Sequence, residues 1–246
     1  MISQSSTIDI NTPTGLMRCS LYRPVGEGTF ASIIFYSEIF QITAPIERTA
    51  KIMAGHGFVV LVPEVFHELN PIGTVLAYDD DGKDKGNQDK FTKTLEAHDS
   101  DTQAMVDYLT AQPFSNKKIG SMGVCIGGHL AYRAALNESI TASFCLYATD
   151  IHSNTLPCAQ GNDSLSRTGD MNAEFCMVWG KQDPHVSPEG RQKIYQNLAA
   201  CERHFTWHEF NAQHAFMRDE GDRYDAEVAH ECYRLATSFF QRSLNQ

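Results

Sequence analysis

Short apolar runs rich in β-branched and aromatic residues alternate with longer segments of helical periodicity along this chain of 246 residues. The runs typical of strands are 16–22, 31–37, 58–62, 117–122, 143–148, 174–179 and 204–210. The segments typical of helices are 44–56, 94–111, 126–137, 188–200 and 222–243. This alternation predicts an α/β protein with a mostly parallel central sheet and helices on both faces. No repeat or linker interrupts the pattern, so we expect residues 1–246 to form a single domain.

The charge balance of the chain is acidic, with 30 Asp and Glu against 20 Lys and Arg and a formal net charge of −10. A surface of this sign argues against binding to nucleic acid or to an anionic membrane. The sequence starts without the basic and apolar segments of a secretory signal, and no apolar run is long enough to span a bilayer. The seven cysteines include no C-x-x-C pair, which favours reduced thiols. We therefore expect a cytoplasmic protein.

One segment, AYDDDGKDKGNQDK at residues 77–90, differs from the rest by its polarity. It is too polar to enter a core, and we predict that it is a surface loop. A loop of this length in a compact domain is often functional. A solvated surface excursion without a function explains the same composition.

The segment GVCIG, residues 123–127, connects the predicted strand 117–122 to the predicted helix 126–137. It matches the G-x-S-x-G pattern of a nucleophile on a tight strand-to-helix turn, with Cys125 in the place of serine. The glycines allow neighbouring backbone to pack closely around such a turn. A thiol at a helix N-terminus is also favoured as the thiolate. A buried structural cysteine among packing glycines is the alternative.

Two residues that follow later strands are candidate partners of Cys125. Proteins with this turn place the nucleophile, the acid and the histidine in that order along the chain. Asp183 follows the strand 174–179, and His214 follows the strand 204–210. Both are expected beyond the carboxyl ends of the strands, where such sheets bind ligands. Taken singly, each residue could equally be a turn or surface residue. The rival candidates are Asp150, His185, His204 and His208.

The sequence resembles the dienelactone hydrolases (carboxymethylenebutenolidases) of the α/β-hydrolase fold over residues 15–240. The resemblance is carried by SEIFQITAPIERTAKIMAGHGFVVLVPE (37–64), QPFSNKKIGSMGVCIGG (112–128), WGKQDP (179–184) and HAFMRD (214–219). Cysteine in the turn is the discriminating feature, since most relatives of the fold use serine there. The resemblance implies Cys125 as nucleophile, His214 as base and Asp183 as the residue that orients the histidine.

The resemblance also implies roles for residues that follow the strand 31–37. The resemblance implies Glu38 as a fourth catalytic residue, whose carboxylate keeps the resting thiol of Cys125 protonated. The backbone N–H groups of Ile39 and Ile126 become the oxyanion hole. Without the resemblance, Glu38 is an ordinary loop carboxylate.

The substrate contacts are implied by the same resemblance. The family holds the carboxylate of its substrate with arginines, and Arg218, four residues after His214, takes one of these places. The second arginine is missing, because no arginine lies between residues 49 and 132. The lysines available to replace it are Lys83, Lys85 and Lys90, although lysine offers a point charge rather than a planar fork. Tyr78 is a candidate lining residue. We expect a lactone or small ester as substrate, with a carboxylate in the dienelactone-like case.

The sequence also fits two functions other than lactone hydrolysis. A thiol esterase acting on uncharged esters needs the same three residues, and an inactive hydrolase fold used as a binding module needs none of them. A metal enzyme is disfavoured because no H-E-x-x-H or C-x-x-C pair occurs among ten histidines and seven cysteines. We expect no cofactor and no metal, a small-molecule partner only, and a monomer or small homo-oligomer.

Overall fold

A single sheet with the strand order β1-β2-β4-β3-β5-β6-β7-β8 forms the centre of the computed structural model. The structure describes residues 1–153, 155–157, 161 and 163–244. The strands are β1 Ser3–Thr12, β2 Gly15–Pro24, β3 Phe30–Tyr36, β4 Val59–Pro63, β5 Ser115–Val124, β6 Ile140–Leu146, β7 Glu174–Gly180 and β8 Phe205–Phe210. Strand β2 is antiparallel to β1 and to β4, and all other neighbours are parallel. The prediction of a mostly parallel sheet is confirmed.

Helices cover both faces of this sheet. They are α1 Ala44–Gly55, α2 Asp80–Thr92, α3 Leu95–Ala111, α4 Ile126–Ala134, α5 Pro188–Ala200 and α6 Ala226–Leu244. Residues of α3, α4 and α5 belong to one apolar cluster, and residues of α1 and α6 belong to the other. Strand β3 contributes to both, with Ile34 and Tyr36 on the first face and Ile33 and Phe35 on the second. This alternation follows from the two-residue period of a strand that is buried on both sides.

The prediction of a loop over 77–90 is wrong, because most of this segment forms helix α2. The helix is polar on all sides and contains two glycines, so its own propensity is low. Its N-terminus is capped by Asp79, whose side chain accepts a hydrogen bond of 2.8 Å from the N–H of Gly82. At Gly86 a Cβ atom would lie 2.7 Å from the carbonyl oxygen of Ile39, so the glycine permits a backbone contact. Tertiary packing on the Ile39 segment therefore outweighs the weak helix propensity.

Strand β1 is a second element that the sequence did not predict. Its sequence SQSSTIDINT is mostly polar, and Ile10 is its one buried residue. It pairs with β2 over ten residues at the edge of the sheet, so backbone hydrogen bonds define it rather than an apolar face.

The remaining expectations of the sequence concern thiols and membranes. The six described cysteines are free, and Cys158 lies outside the described residues. Within the described part of the chain, no helix combines the length and apolar character that crossing a bilayer requires.

Candidate active site

Cys125 lies on a strained turn between β5 and α4. Its φ of 59° and ψ of −124° are unusual for a residue with a side chain. The flanking glycines make the turn possible: a Cβ on Gly123 would lie 1.8 Å from the carbonyl oxygen of Gly127. A Cβ on Gly127 would lie 2.2 Å from the carbonyl oxygen of Tyr36. The close packing therefore holds the Cys125 side chain at the carboxyl end of the sheet.

Asp183 and His214 meet beside this turn, although they come from different strand ends. The hydrogen bond between His214 Nδ1 and Asp183 Oδ2 measures 2.7 Å, and both side chains are buried. The other carboxylate oxygen of Asp183 accepts a hydrogen bond of 2.8 Å from the backbone N–H of His185. Burial raises the pKa of Asp183, but these hydrogen bonds and the charge of His214 outweigh it and hold the pKa below its ordinary value. The carboxylate is thus fixed in its ionised form behind the imidazole.

His214 lies between Asp183 and the thiol of Cys125. Burial lowers the pKa of His214, but the negative charge on Cys125 and the hydrogen bonds with Asp183 and Cys125 outweigh it, raising the pKa to about 10. The neighbouring residue, Ala215, has a φ of 61° and turns the chain at this point. An imidazole in this position can accept the thiol proton and remain protonated beside the resulting thiolate.

The rival candidates occupy other positions. Asp150 accepts a hydrogen bond of 3.2 Å from Lys90. The ring of His185 contacts that of His214 edge to face, with 4.6 Å between centroids. His204 has a side chain that is 83% exposed, and His208 lies half-buried on β8. His185 is therefore the rival histidine that adjoins His214.

The two backbone N–H groups expected to form an oxyanion hole belong to Ile126, which directly follows Cys125, and to Ile39, which lines the same pocket. Ile126 begins α4, so its N–H has no acceptor within the helix. Ile39 follows β3 in the segment against which Gly86 packs. Within the described residues, neither N–H donates to a protein acceptor. Both donors are therefore available to an oxygen bound at the turn.

Glu38 is buried next to Ile39, and its carboxylate has two partners. Tyr78 donates a hydrogen bond of 2.8 Å to Glu38 Oε1, while Arg218 Nη1 lies 3.7 Å from Oε2. The Arg218 guanidinium also stacks 4.3 Å from the centre of the Tyr78 ring. Burial raises the pKa of Glu38, and the charge of Arg218 and the Tyr78 hydrogen bond offset this only in part. Arg218 and Tyr78 therefore contact Glu38.

A pocket of about 200 Å³ opens above Cys125. Its lining consists of Glu38, Ile39, Phe40, Lys83, Asn87, Lys90, Cys125, Thr149, Asp150, His185, His214 and Arg223. Lys83, Asn87 and Lys90 share one face of α2, since they are separated by four and three positions.

Three of the five candidate substrate contacts named from the sequence do not line the pocket. Arg218 and Tyr78 contact Glu38, as described above, and the amine of Lys85 is bonded to Asp89. Arg223 lines the pocket but was missed, because it follows His214 by nine residues in a polar segment without any motif.

One group of side chains outside the pocket has the composition of a metal site. His67, Glu68 and Asp101 offer ligand atoms within 4.8 Å of one another. The ammonium of Lys93 already lies among them, 2.6 Å from Asp101 and 2.7 Å from Glu68. Lys93 is buried and supplies the positive charge that these carboxylates need. The arrangement is therefore a buried ion-pair network centred on a lysine.

The sheet order, the turn at Cys125 and the placement of Asp183 and His214 after β7 and β8 define a protein of the α/β-hydrolase fold. The chain belongs to the dienelactone hydrolase family, whose model, described as "Dienelactone hydrolase family", matches residues 17–244. The family assignment makes it a hydrolase and confirms the resemblance found in the sequence.

Individual relatives support this assignment over nearly the whole chain. A Saccharomyces cerevisiae protein named "Putative carboxymethylenebutenolidase" is 39% identical, over 96% of this chain and 90% of its own. The "Carboxymethylenebutenolidase" of Pseudomonas putida is 26% identical, over 80% of this chain and 79% of its own. A Klebsiella pneumoniae crystal structure described as a "Putative Dienelactone Hydrolase" has a TM-score of 0.87. It is 18% identical and covers 98% of this chain and 100% of its own, so it supports the fold alone.

Proposed function

We propose that the protein hydrolyses a lactone or small ester by acyl transfer to Cys125, through a thioester intermediate. The observation that carries this proposal is the 2.7 Å hydrogen bond between His214 and the ionised Asp183, beside a thiol on a strained turn. The charge of Asp183 keeps His214 oriented and stabilises the imidazolium that forms when the thiol gives up its proton. The six described cysteines are free, which supports the proposed cytoplasmic setting.

The reaction divides into two steps. The thiol proton passes to Nε2 of His214, and the thiolate sulfur forms a bond to the carbonyl carbon. The carbonyl oxygen becomes an oxyanion that accepts hydrogen bonds from the N–H groups of Ile39 and Ile126. The C–O bond to the leaving oxygen then breaks, and that oxygen, or the enolate carbon in an enol lactone, recovers the proton.

Water completes the cycle by attacking the thioester. His214 accepts a proton from the water as the new C–O bond forms. The C–S bond breaks, and Cys125 regains its proton from the imidazolium while the carboxylic acid product leaves. Cysteine suits esters with good leaving groups, because a thiolate leaves the tetrahedral intermediate more readily than an amide nitrogen does.

The substrate class is a lactone of the dienelactone type, consistent with the names of the relatives. The pocket of about 200 Å³ has room for a small ring. Cations from two elements, Lys83 and Lys90 of α2 and Arg223 of the segment after β8, line it. They favour a substrate that carries a carboxylate over an uncharged ester.

Stepwise alkylation of Cys125 with iodoacetamide tests the proposal. Loss of hydrolysis of 4-nitrophenyl acetate should follow the fraction of Cys125 that peptide mass spectrometry finds alkylated. The variant Cys201→Ala removes another partly exposed cysteine. On alkylation, its activity should decrease with the alkylated fraction of Cys125 as it does in wild type. Full activity after complete alkylation of Cys125 contradicts the proposal.

A further inference from the structure

His185 contacts both members of the Asp183–His214 pair. Its backbone N–H donates a hydrogen bond of 2.8 Å to Asp183 Oδ1, while His214 Nδ1 is bonded to Oδ2 of the same carboxylate. Its ring meets that of His214 edge to face, with 4.6 Å between the centroids and 69° between the ring planes. The carboxylate therefore fixes the backbone of His185 beside the imidazole that its side chain touches.

The imidazole of His214 touches a second ring, that of Tyr147. The two centroids are 5.0 Å apart, and the ring planes meet at 70°. Tyr147 is buried, and burial raises the pKa of its phenol far above the ordinary value. Tyr147 therefore stays uncharged at neutral and acidic pH, whereas His185 is a neighbouring ring that can gain a charge.

The ring of His185 is accessible to protons from the solvent. The residue is exposed, and it lines the pocket that contains Cys125. Within the described part of the chain, neither ring nitrogen of His185 makes a hydrogen bond. No partner therefore fixes the protonation state of this ring, which can follow the pH of the solution.

Charged groups from three parts of the fold act on the His185 ring. Partial burial lowers the pKa of His185 below its ordinary value of 6.5, and the charge of His214 lowers it further. Asp183 opposes these effects, whereas Arg223 and Lys90 add to them. The other titratable groups that line the pocket are Glu38, Lys83, Cys125 and Asp150. His185 is thus neutral at neutral pH and becomes a cation in acid.

A proton on His185 opposes the proton transfer that the proposed reaction needs. The thiolate of Cys125 forms when His214 becomes an imidazolium, and a like charge in contact with the imidazole disfavours this second charge. The same cation attracts the thiolate. The ring of His185 touches the imidazole, however, and makes no hydrogen bond with the sulfur. Repulsion of the imidazolium therefore outweighs attraction of the thiolate.

We propose that His185 is a positioning residue that acts through His214. Its neutral ring holds the imidazole in place for proton transfer, and its protonated ring suppresses the thiolate–imidazolium pair. The proposal rests on the proposed acyl transfer at Cys125, because His214 is the base of that reaction. The enzyme should therefore lose activity in mild acid through a residue outside the triad.

The test separates the ring of His185 from its charge. His185→Phe keeps a planar ring that cannot bind a proton, and His185→Ala removes the ring. The measurement is kcat/KM for the uncharged substrate 4-nitrophenyl acetate between about pH 5 and pH 8. At the upper end of this range, His185→Phe should stay within about twofold of wild type, and His185→Ala should lose several-fold in kcat. At the acidic end, wild type should fall below His185→Phe by about tenfold once His185 is protonated.

Two further variants make the comparison specific. His204→Phe is the matched control, because the His204 side chain is 83% exposed, and its pH profile should equal that of wild type. His185→Gln is a second uncharged variant and should resist acid as His185→Phe does. Superimposable profiles of wild type and both uncharged variants would overturn the role of the charge. A loss in His185→Phe as large as in His185→Ala at every pH would overturn the role of the ring contact.

A second measurement does not depend on hydrolysis. Iodoacetamide is uncharged, so the rate at which it alkylates Cys125 follows the fraction of thiolate at each pH. On acidification, this rate should fall more steeply in wild type than in His185→Phe. Equal steepness would contradict the proposal. Failure of the proposed function looks different: hydrolysis would then persist in Cys125→Ala, while the alkylation rates of wild type and His185→Phe would still diverge in acid.

Discussion

Gly127 lies so close to Tyr36 that a Cβ atom on the glycine would stand 2.2 Å from the Tyr36 carbonyl oxygen and 2.4 Å from that of Ser37. Tyr36 is the last residue of β3, Ser37 follows it, and Gly127 is the second residue of α4. The contact therefore joins the end of β3, which precedes Glu38 and Ile39, to the turn that carries Cys125. No rotation of a side chain can relieve a clash between two backbone segments.

Replacing Gly127 with Ala should lower the free energy of unfolding by about 3 kcal/mol or more, because the backbone at the turn must shift to accommodate the new atom. Urea denaturation measures the change. Gly169→Ala is the matched control, since a Cβ there meets nothing within 4 Å. If both variants lose the same stability, the tight contact at Gly127 is not what holds the turn.

Glu38→Gln should raise the rate at which iodoacetamide alkylates Cys125 near neutral pH by about tenfold. The physical reason is that a neighbouring negative charge disfavours a second one on the thiol. Peptide mass spectrometry of Cys125 follows the reaction. Glu47→Gln is the control, because Glu47 lies on the exposed side of α1 and pairs with Lys51. Identical rates in wild type and Glu38→Gln would make Glu38 a structural loop residue.

The pKa of His214 predicts how stability depends on pH. The folded-state pKa of about 10 lies above the ordinary value of 6.5. The contribution of His214 to the free energy of unfolding is therefore complete below about pH 6.5 and is lost as the pH rises through about 10. The stability advantage of wild type over His214→Gln should be largest near pH 6 and decrease toward pH 10.

Urea denaturation across this pH range provides the measurement. His204→Gln serves as the control, since the His204 side chain is 83% exposed and lies at the other end of β8. An advantage that stays constant, or grows with pH, would show that the folded protein does not stabilise the imidazolium form of His214.

The sequence predicted those parts of the molecule that short-range patterns specify. The turn at Cys125 follows from the glycine spacing, and the order of Asp183 and His214 follows from the strands that precede them. Helix α2 could not be predicted, because its polar surface and two glycines carry no apolar period. Its stability comes from packing against the Ile39 segment, which is distant in sequence.

The same reasoning applies to two arginines of the segment after β8. Arg218 lies at a fixed spacing from His214, which a motif can record. Whether its guanidinium faces the pocket depends on Tyr78 and Glu38, which lie more than 100 residues earlier in the chain. Arg223 belongs to no motif, and only the folded segment after β8 brings it beside Cys125.

The most direct test of this account is the hydrolytic activity of Cys125→Ala, measured with carboxymethylenebutenolide beside wild type and Cys201→Ala. Because the nucleophile and its base act as a unit, kcat should decrease by about 10³-fold or more in Cys125→Ala. Cys201→Ala should keep the wild-type rate. Near-full activity in Cys125→Ala, in a protein that denatures in urea as wild type does, would contradict the assignment of Cys125 as the nucleophile.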